Sequence, residues 1–204
     1  PKRALGSTGL MVHPLCIGTA ELGELANFPY TVGEERALAT ARAIFDGPIH
    51  CVDTAAGYGE SERRLGIVLR ERGGLPAGFV LSTKVGCRFP EGVSAGDHTR
   101  RSVERSLQLL GLDRLQLVFI HDPEVTTFER VMAPDGPLEV LRRYKEQGVI
   151  AHIGVAGGPI DLLIRYVETG AFEVVISHNR FTLVNVAANP LWDIARQRGV
   201  ATLN

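Results

Sequence analysis

The run Phe79-Val80-Leu81-Ser82-Thr83-Lys84 is short and mostly apolar, and it ends in a positive charge. A run of this length and composition is typical of a buried β-strand. Two similar runs, residues 48–52 and 115–120, lie on either side of it, and stretches with helical periodicity separate the three. The pattern predicts parallel strands that are joined by helices, as in βα units.

The same alternation extends through the rest of the chain. An N-terminal β-hairpin is predicted around the turn Gly6-Ser7-Thr8-Gly9. Strands are predicted at residues 15–18, 48–52, 79–83, 115–120, 149–155, 172–177 and 200–204. Of six predicted helices the first ends at Gly47-Pro48, and the others lie near residues 60–70, 97–110, 137–147, 161–169 and 188–198. Asp97 is the predicted N-cap of its helix, and a long loop follows the fourth strand.

Regular βα repetition without a Gly-x-Gly-x-x-Gly motif after the first strand favours a barrel over a Rossmann sheet. A closed barrel of this kind has eight strands and roughly 250 residues. With 204 residues, the chain offers seven strands. We therefore expect one domain over residues 1–204: an α/β, (β/α)8 TIM barrel with an N-terminal β-hairpin, seven strands present and the C-terminal part missing or unresolved.

Composition excludes several classes of function. The net charge is −1, from 22 basic and 23 acidic residues, and basic residues occur at most in short groups, so nucleic acid is not an expected partner. No apolar stretch approaches the ~20 residues that cross a bilayer, and the first residues do not resemble a signal peptide. The three cysteines are widely spaced, as in proteins of a reducing compartment. The expected location is the cytoplasm.

Four polar residues follow the predicted strands: Asp53, Tyr58, Lys84 and His121. Each lies at or just beyond the end of its run. Because the carboxyl ends of barrel strands converge on one face, residues that are far apart in sequence meet there. The sequence therefore predicts one site that contains a carboxylate, a phenol, an ammonium and an imidazole.

These four groups suit proton transfer to a carbonyl oxygen. Tyr58 can donate its phenolic proton as a hydride reaches the carbonyl carbon, or take the proton back during alcohol oxidation. An ammonium close by, such as Lys84, favours the phenolate. Asp53 would keep Lys84 charged and oriented, and His121 would donate an N–H to the substrate oxygen.

The motifs around these residues resemble those of the aldo-keto reductases. The resemblance covers nearly the whole chain, with Asp53 and Tyr58 matching the family's Asp-x-x-x-x-Tyr spacing, and Lys84 and His121 following in the family's order. It rests on Leu5-Gly6-Ser7-Thr8-Gly9-Leu10, Gly18-Thr19, Val52-Asp53-Thr54-Ala55-Ala56-Gly57-Tyr58-Gly59, Ser61-Glu62-Arg63-Arg64-Leu65-Gly66, Ser82-Thr83-Lys84-Val85-Gly86, Ile120-His121-Asp122-Pro123 and Ile153-Gly154-Val155. The segment after the sixth strand, His178-Asn179-Arg180-Phe181, looks like the aldose, L-fucose and pyridoxal dehydrogenase branch.

The resemblance implies a carbonyl reductase or alcohol dehydrogenase that uses NADP or NAD, with NADP slightly favoured and no metal. It implies a small carbonyl or alcohol substrate, such as an aldehyde or a sugar. The catalytic residues that it implies are Asp53, Tyr58, Lys84 and His121, and the cofactor-binding residues are Gly18, Thr19, Asp53, Ala156 and His178.

The chain differs from the family at the residues that bind the nicotinamide. Many members carry Gly-Val-Ser-Asn after the fifth strand, and their serine and asparagine hold the carboxamide. Here the run is Gly154-Val155-Ala156-Gly157, so both side-chain partners are absent. His178 aligns with a glutamine of those members. The resemblance then implies that backbone groups and His178 hold the carboxamide.

Three other readings of the same residues stay open at this point. Lys84 could form a Schiff base in a barrel aldolase. Asp53, His121 and His178 could bind a metal in a barrel hydrolase. The chain could also be a nicotinamide-binding subunit that senses redox state without turnover. The sequence makes no prediction of oligomeric state.

Overall fold

A computed structural model describes residues 1–25 and 30–204 of the chain. The N-terminal β-hairpin is confirmed: β1 (Arg3–Ala4) pairs antiparallel with β2 (Met11–Val12). The turn places Gly6 and Gly9 at φ +55° and +76°, where residues with a Cβ are strained. The hairpin thereby presents Leu5 and Val12 to the inside of the main sheet.

Seven parallel strands form the main sheet, as predicted. They run in chain order, so each strand pairs with the next along the sequence and β3 and β9 form the two edges. Their bounds are β3 (Ile17–Gly18), β4 (Cys51–Asp53), β5 (Val80–Gly86), β6 (Leu115–His121), β7 (Ile150–Gly157), β8 (Val174–Ser177) and β9 (Ala201–Leu203). This curled sheet is part of a (β/α) barrel.

Helices cover the outer face of the sheet and connect its strands. Their bounds are α1 (Glu34–Asp46), α2 (Ser61–Glu71), α3 (Ala95–Leu110), α4 (Phe128–Met132), α5 (Pro137–Glu146), α6 (Ile160–Glu168) and α7 (Asn189–Gln197). The six predicted helices are all present. Helix α4 was not predicted, because its five residues are too short to show a helical period.

The predicted cap of the third helix was wrong. Helix α3 begins at Ala95, and the Ser94 side chain accepts a hydrogen bond from the Asp97 amide at 3.0 Å. Asp97 therefore lies inside the first turn, where its negative charge is favourable. Both residue types are good caps, and the sequence alone did not separate them.

Two apolar clusters show which side of each strand faces inward. The helices contribute to one cluster, which holds Leu81 and Val118 and lies between the helices and the sheet. The other cluster contains no helix residue and holds Cys51, Val80 and Phe119 on the concave side. Because successive side chains of a strand point to opposite faces of the sheet, every second residue points to the same face.

The four central strands, β4 to β7, end later than predicted. β4 includes Asp53, and β5 continues to Gly86, so that Lys84 lies within the strand. The reason is pairing: the ladder between β5 and β6 extends to Gly86 opposite His121. Polar residues are tolerated there because Lys84 and Ser82 both bind the Asp53 carboxylate. None of the described helices is both long enough and apolar enough to span a membrane.

Candidate active site

Three of the predicted polar residues occupy inward-facing positions of their strands. Counting by two from Cys51 reaches Asp53, and from Val80 it reaches Lys84. The same count from Phe119 reaches His121. All three therefore lie above the concave apolar cluster, at the carboxyl end of the sheet, where sequence spacing predicted them.

The Lys84 ammonium is surrounded by three acceptors. It forms an ion pair with the Asp53 carboxylate, donates to the Thr54 carbonyl oxygen at 2.9 Å, and donates to the Tyr58 phenolic oxygen at 3.2 Å. Its side chain is 4% exposed. The three acceptors match the three N–H groups of an ammonium, which disfavours the Schiff-base reading because that chemistry needs a free amine lone pair.

Asp53 is fixed from two other directions. The Ser82 hydroxyl donates to its second carboxylate oxygen at 2.6 Å. Its backbone carbonyl accepts from the Thr19 amide at 3.0 Å and from the Thr19 hydroxyl at 2.9 Å. Gly18 lies directly opposite Asp53 in the ladder, and a Cβ added to Gly18 would meet no heavy atom within 4 Å. The predicted cofactor residue Gly18 thus borders open space beside Asp53, whereas Thr19, the next residue, is buried.

Tyr58 is positioned by a close contact between two backbone segments. A Cβ added to Gly23 would lie 2.1 Å from the Tyr58 carbonyl oxygen, and one added to Gly59 would lie 2.1 Å from the Gly23 carbonyl oxygen. Gly59 also has φ +50°. The Glu60 amide donates to the Gly23 carbonyl at 3.0 Å. Only glycine allows this approach, so Gly23 and Gly59 set the position of the phenol.

Residues at the start of α2 hold the same loop in place. Ser61, Glu62 and Arg64 are all buried. Arg64 donates to the Leu22 carbonyl at 2.7 Å and pairs with Glu34 at 2.8 Å. The sequence singled out this motif by resemblance only. The structure gives it a structural role, because Arg64 holds the chain that precedes Gly23.

His121 faces Tyr58 across the site. Their ring centroids are 5.7 Å apart, with His121 and Tyr58 edge to face. Burial lowers the pKa of the His121 imidazole, and the charge of Lys84 acts in the same direction, while Asp122 opposes both. A neutral imidazole is therefore favoured, which suits an N–H donor to a substrate oxygen.

A second polar group lies next to His121, where Asp122 and Glu124, which were not predicted as site residues, join the predicted residue His178. The His178 Nε2 atom is 3.5 Å from Asp122 Oδ1 and 4.0 Å from Glu124 Oε1, and the His121 Nε2 atom is 3.7 Å from Asp122 Oδ1. The ion pair raises the pKa of His178 and lowers that of Asp122. The spacing of Asp122 and Glu124 just after β6 was the signal that could have revealed it.

Two glycines make room for this group. A Cβ added to Gly157 would lie 2.7 Å from Glu124 Oε2, and one added to Gly158 would lie 3.1 Å from His178 Cε1. The Gly158 amide donates to Glu124 Oε1 at 2.9 Å. Ala156, a predicted cofactor residue, is buried and pairs with His121 in the ladder. The altered run at the end of β7, together with Gly158, therefore accommodates Glu124 and His178.

The alternative metal site predicted from the sequence, Asp53 with His121 and His178, differs from the group of possible ligands that the structure brings together. The Asp53 carboxylate forms an ion pair with the Lys84 ammonium. Over residues 1–25 and 30–204, the one group of three candidate ligands whose atoms all lie within 4.8 Å of one another is Asp122, Glu124 and His178. The alternative set Asp53, His121 and His178 is not brought together in this way.

A cavity of ≈ 500 Å³ opens beside the site. His121 and Asp122 lie on one side of it, and Ala56 and Gly57 on another. The remaining wall is formed by the end of β5 and one face of α3. A small molecule in this cavity would therefore contact His121, whose ring faces Tyr58.

Comparison with known proteins gives a consistent result. The profile of the aldo/keto reductase family matches residues 14–204. L-galactose dehydrogenase of Arabidopsis thaliana is 29% identical over 208 residues, which cover 99% of this chain and 63% of that protein. D-threo-aldose 1-dehydrogenase of a Pseudomonas species is 30% identical over 212 residues, which cover 91% and 62%. The chain thus spans less than two thirds of the length of these two relatives.

A third relative and two solved structures extend this result. Pyridoxal 4-dehydrogenase of Microbacterium luteolum is 29% identical over 98% of this chain and 68% of its own length. The structure of a Pseudomonas aeruginosa protein assigned to the aldo-keto reductases superposes with a TM-score of 0.78 at 30% identity, covering 98% of this chain and 76% of that one. An aldo-keto reductase of Bacillus halodurans, at 22% identity and a TM-score of 0.80 over 99% and 64%, shares the fold. The relatives match the predicted aldose and pyridoxal branch.

Proposed function

The chain belongs to the aldo/keto reductase family, and from this premise we propose that it interconverts carbonyls and alcohols by hydride transfer, with Tyr58 as the general acid and base. One observation carries the proposal. The Lys84 ammonium donates to the Tyr58 phenolic oxygen at 3.2 Å, opposite His121. A proton donor, a cation that stabilises its conjugate base and a neutral N–H donor then surround one point.

Each residue has a role that follows from its contacts. Tyr58 gives its proton to the carbonyl oxygen during reduction and regains it from the alcohol during oxidation. Lys84 stabilises the phenolate that forms when the proton leaves. Asp53 balances the Lys84 charge and fixes its direction, and His121 donates an N–H that orients the substrate oxygen.

The cofactor is proposed to be NADP or NAD. When bound, its nicotinamide ring supplies or accepts the hydride at the substrate carbon. The residues present fit such a group: the space beside Gly18 is open, and the buried Asp122 Oδ1 has ion contacts with the His178 and His121 rings but makes no hydrogen bond within the described residues. A carboxamide offers N–H donors to an acceptor of this kind and an oxygen that the His178 ring could reach.

We assign cofactor binding to Gly18, Thr19, Asp53, Ala156 and His178. The first three lie together at the ends of β3 and β4, where Gly18 borders open space. Ala156 and His178 lie at the ends of β7 and β8, on the far side of His121. The assignment follows from the family resemblance, and the shared edge of the sheet supports it.

The proposed substrates are small aldehydes, sugars or the related alcohols. The relatives named for L-galactose and D-threo-aldose support a sugar as substrate. Residues 1–204 are proposed to act as one barrel domain, and a cytoplasmic location stays a prediction.

The test uses the full-length protein. Fluorescence titration with NADPH and NADH measures cofactor binding, and a panel of aldehydes and sugars measures turnover. The proposal expects binding of at least one cofactor and turnover of at least one carbonyl or sugar. Binding without any turnover favours the redox-sensing subunit instead, and absence of binding contradicts both.

A further inference from the structure

The wall of the cavity beside His121 is strongly basic. Three arginines line it: Arg88 follows β5, and Arg101 and Arg105 lie on α3. Arg101 and Arg105 are four residues apart on a helix, so both project from the same face. His98, one turn before Arg101, lines the cavity as well. Three guanidinium groups therefore border a space that also contains the proposed catalytic imidazole.

These charges are mostly not neutralised within the protein. Among the described residues, the side chains of Arg88 and Arg101 form no ion pair and no hydrogen bond. Arg105 donates one hydrogen bond, to the Ala56 carbonyl oxygen at 3.2 Å. Arg100, the neighbour of Arg101, shows the contrast, because it forms an ion pair with Asp97 and does not line the cavity.

The acidic content of the wall is small. Among the described residues that line the cavity, Asp122 is the one carboxylate, and it lies 3.5 Å from the His178 ring. Burial and the charge of Arg101 lower the pKa of His98, so its ring is neutral near pH 7 and can accept or donate a hydrogen bond. The Ser102 hydroxyl adds another polar group to the wall. The cavity thus carries an excess of positive charge.

A second basic group lies next to this wall. The Arg130 guanidinium stacks 4.6 Å above the Phe89 ring, and Phe89 in turn packs edge to face on His98 at 5.5 Å. This stack connects α4 to α3. Arg130 thus adds a further positive charge next to the cavity wall, and none of the three stacked residues is acidic.

From this geometry we propose that the cavity binds an anionic group of the carbonyl substrate, a carboxylate or a phosphate, through Arg88, Arg101 and Arg105. The inference rests on the proposed function and names the substrate class of the same site. Guanidinium groups form paired, charge-assisted hydrogen bonds with the oxygens of carboxylates and phosphates. Since His121 shares the cavity, the carbonyl end of the same molecule reaches Tyr58.

The experiment compares matched carbonyl substrates that differ in charge. One pair is 4-carboxybenzaldehyde and its methyl ester, and the other is glyceraldehyde 3-phosphate and glyceraldehyde. The full-length protein is assayed with the cofactor that it binds. The proposal expects kcat/KM for the anionic member of at least one pair to exceed that of the neutral member about 10-fold or more, mainly through a lower KM. The pair that responds identifies carboxylate or phosphate as the anion.

Two variants localise the effect. Arg101→Ala removes a cavity guanidinium and is expected to lower the anionic-over-neutral ratio of kcat/KM about 10-fold. Arg100→Ala, on the same helix but paired with Asp97, is the matched control and is expected to leave the ratio unchanged. Added salt should raise the KM of the anionic substrate more than that of the neutral one, because it screens the attraction.

A direct binding measurement separates this proposal from the proposed function. Calorimetric titration with benzoate and with inorganic phosphate does not depend on turnover. Binding that Arg101→Ala removes and Arg100→Ala keeps supports the anion site even if no carbonyl is reduced. Turnover of the neutral substrates with no preference for the anionic ones, and no binding of either ion, overturns the anion site while leaving the oxidoreductase intact.

Discussion

The Lys84 ammonium lies 3.2 Å from the Tyr58 phenolic oxygen and 4.7 Å from the centre of its ring. The cation thus touches the atom that is proposed to exchange a proton with substrate. It reaches this position because β5 extends to Gly86 and so carries Lys84 as an inward-facing strand residue. The proposed mechanism depends on this contact and on the Asp53 carboxylate that holds Lys84 in place.

The Lys84 and Asp53 pair is expected to be strongly coupled. Lys84→Met leaves a carboxylate that is 19% exposed without its cation, which costs about 3–5 kcal/mol of unfolding free energy. The double variant Lys84→Met/Asp53→Asn is expected to cost less than the sum of the two single variants, by about 0.5–3 kcal/mol. Denaturant unfolding of the four proteins measures this, and additive changes would argue against the pairing.

The Asp122 and His178 pair gives a prediction on pH. Asp122 raises the pKa of His178, so His178 stays protonated above its ordinary range. The pair therefore stabilises the fold at pH values above the lowered pKa of Asp122, and this stabilisation is lost as pH rises through the raised pKa of His178. Asp122→Asn should lower the His178 titration midpoint, as measured by NMR of the ring protons.

The control for that titration is Glu146→Gln. Glu146 is the last residue of α5, at the opposite end of the sheet, and its loss should leave the His178 midpoint in place. A midpoint that does not move in Asp122→Asn would show that the two side chains do not interact in solution.

The close approach at Gly23 is expected to be intolerant of any side chain. Gly23→Ala puts a Cβ 2.1 Å from the Tyr58 carbonyl oxygen, so the loop that carries Tyr58 must shift. We expect a loss of about 1–3 kcal/mol in stability together with a fall in kcat. Gly33→Ser is the matched control, because a Cβ there meets nothing within 4 Å and serine is a favourable N-cap for α1. Equal behaviour of the two variants would refute the steric argument.

Glu62 provides a prediction on stability against pH. Burial raises the pKa of its carboxyl, and Thr83 donates to it at 2.7 Å. Ionisation is then costlier in the folded than in the unfolded chain, an effect that is absent below the unfolded pKa and complete above the raised one. Glu62→Gln, which stays neutral, should match the parent near pH 4 and exceed its stability at pH 7. Equal stability at both pH values would contradict the assigned burial cost.

Much of the fold followed from local patterns. The predicted strands at residues 48–52, 79–83 and 115–120 are short apolar runs, and the positions of Asp53, Lys84 and His121 at or just beyond their ends predicted one shared face. The strand ends were predicted less accurately. The end of β5, for example, depends on its pairing with β6 and not on its own residues. Helix α4 was missed for a similar reason, since five residues carry no period.

The site was predicted in part. Tyr58 and the three residues around it, Asp53, Lys84 and His121, follow predicted strands in order along the sequence. His178 was named from the resemblance, and the spacing of Asp122 and Glu124 after β6 was a signal that the prediction did not use. The room that Gly157 and Gly158 leave for these side chains is visible only in three dimensions. The basic cavity was missed because Arg88 and the α3 arginines look like solvated surface charge until the fold places them beside His121.

The most direct test of the central claim is the turnover of Tyr58→Phe, measured beside its cofactor affinity. The variant keeps the ring but loses the proton that Tyr58 is proposed to donate. We expect kcat for carbonyl reduction to fall by about 10²- to 10⁴-fold, while the dissociation constant of NADPH or NADH stays within about twofold. Near-full turnover in Tyr58→Phe with cofactor bound would contradict the role of Tyr58 and with it the proposed mechanism.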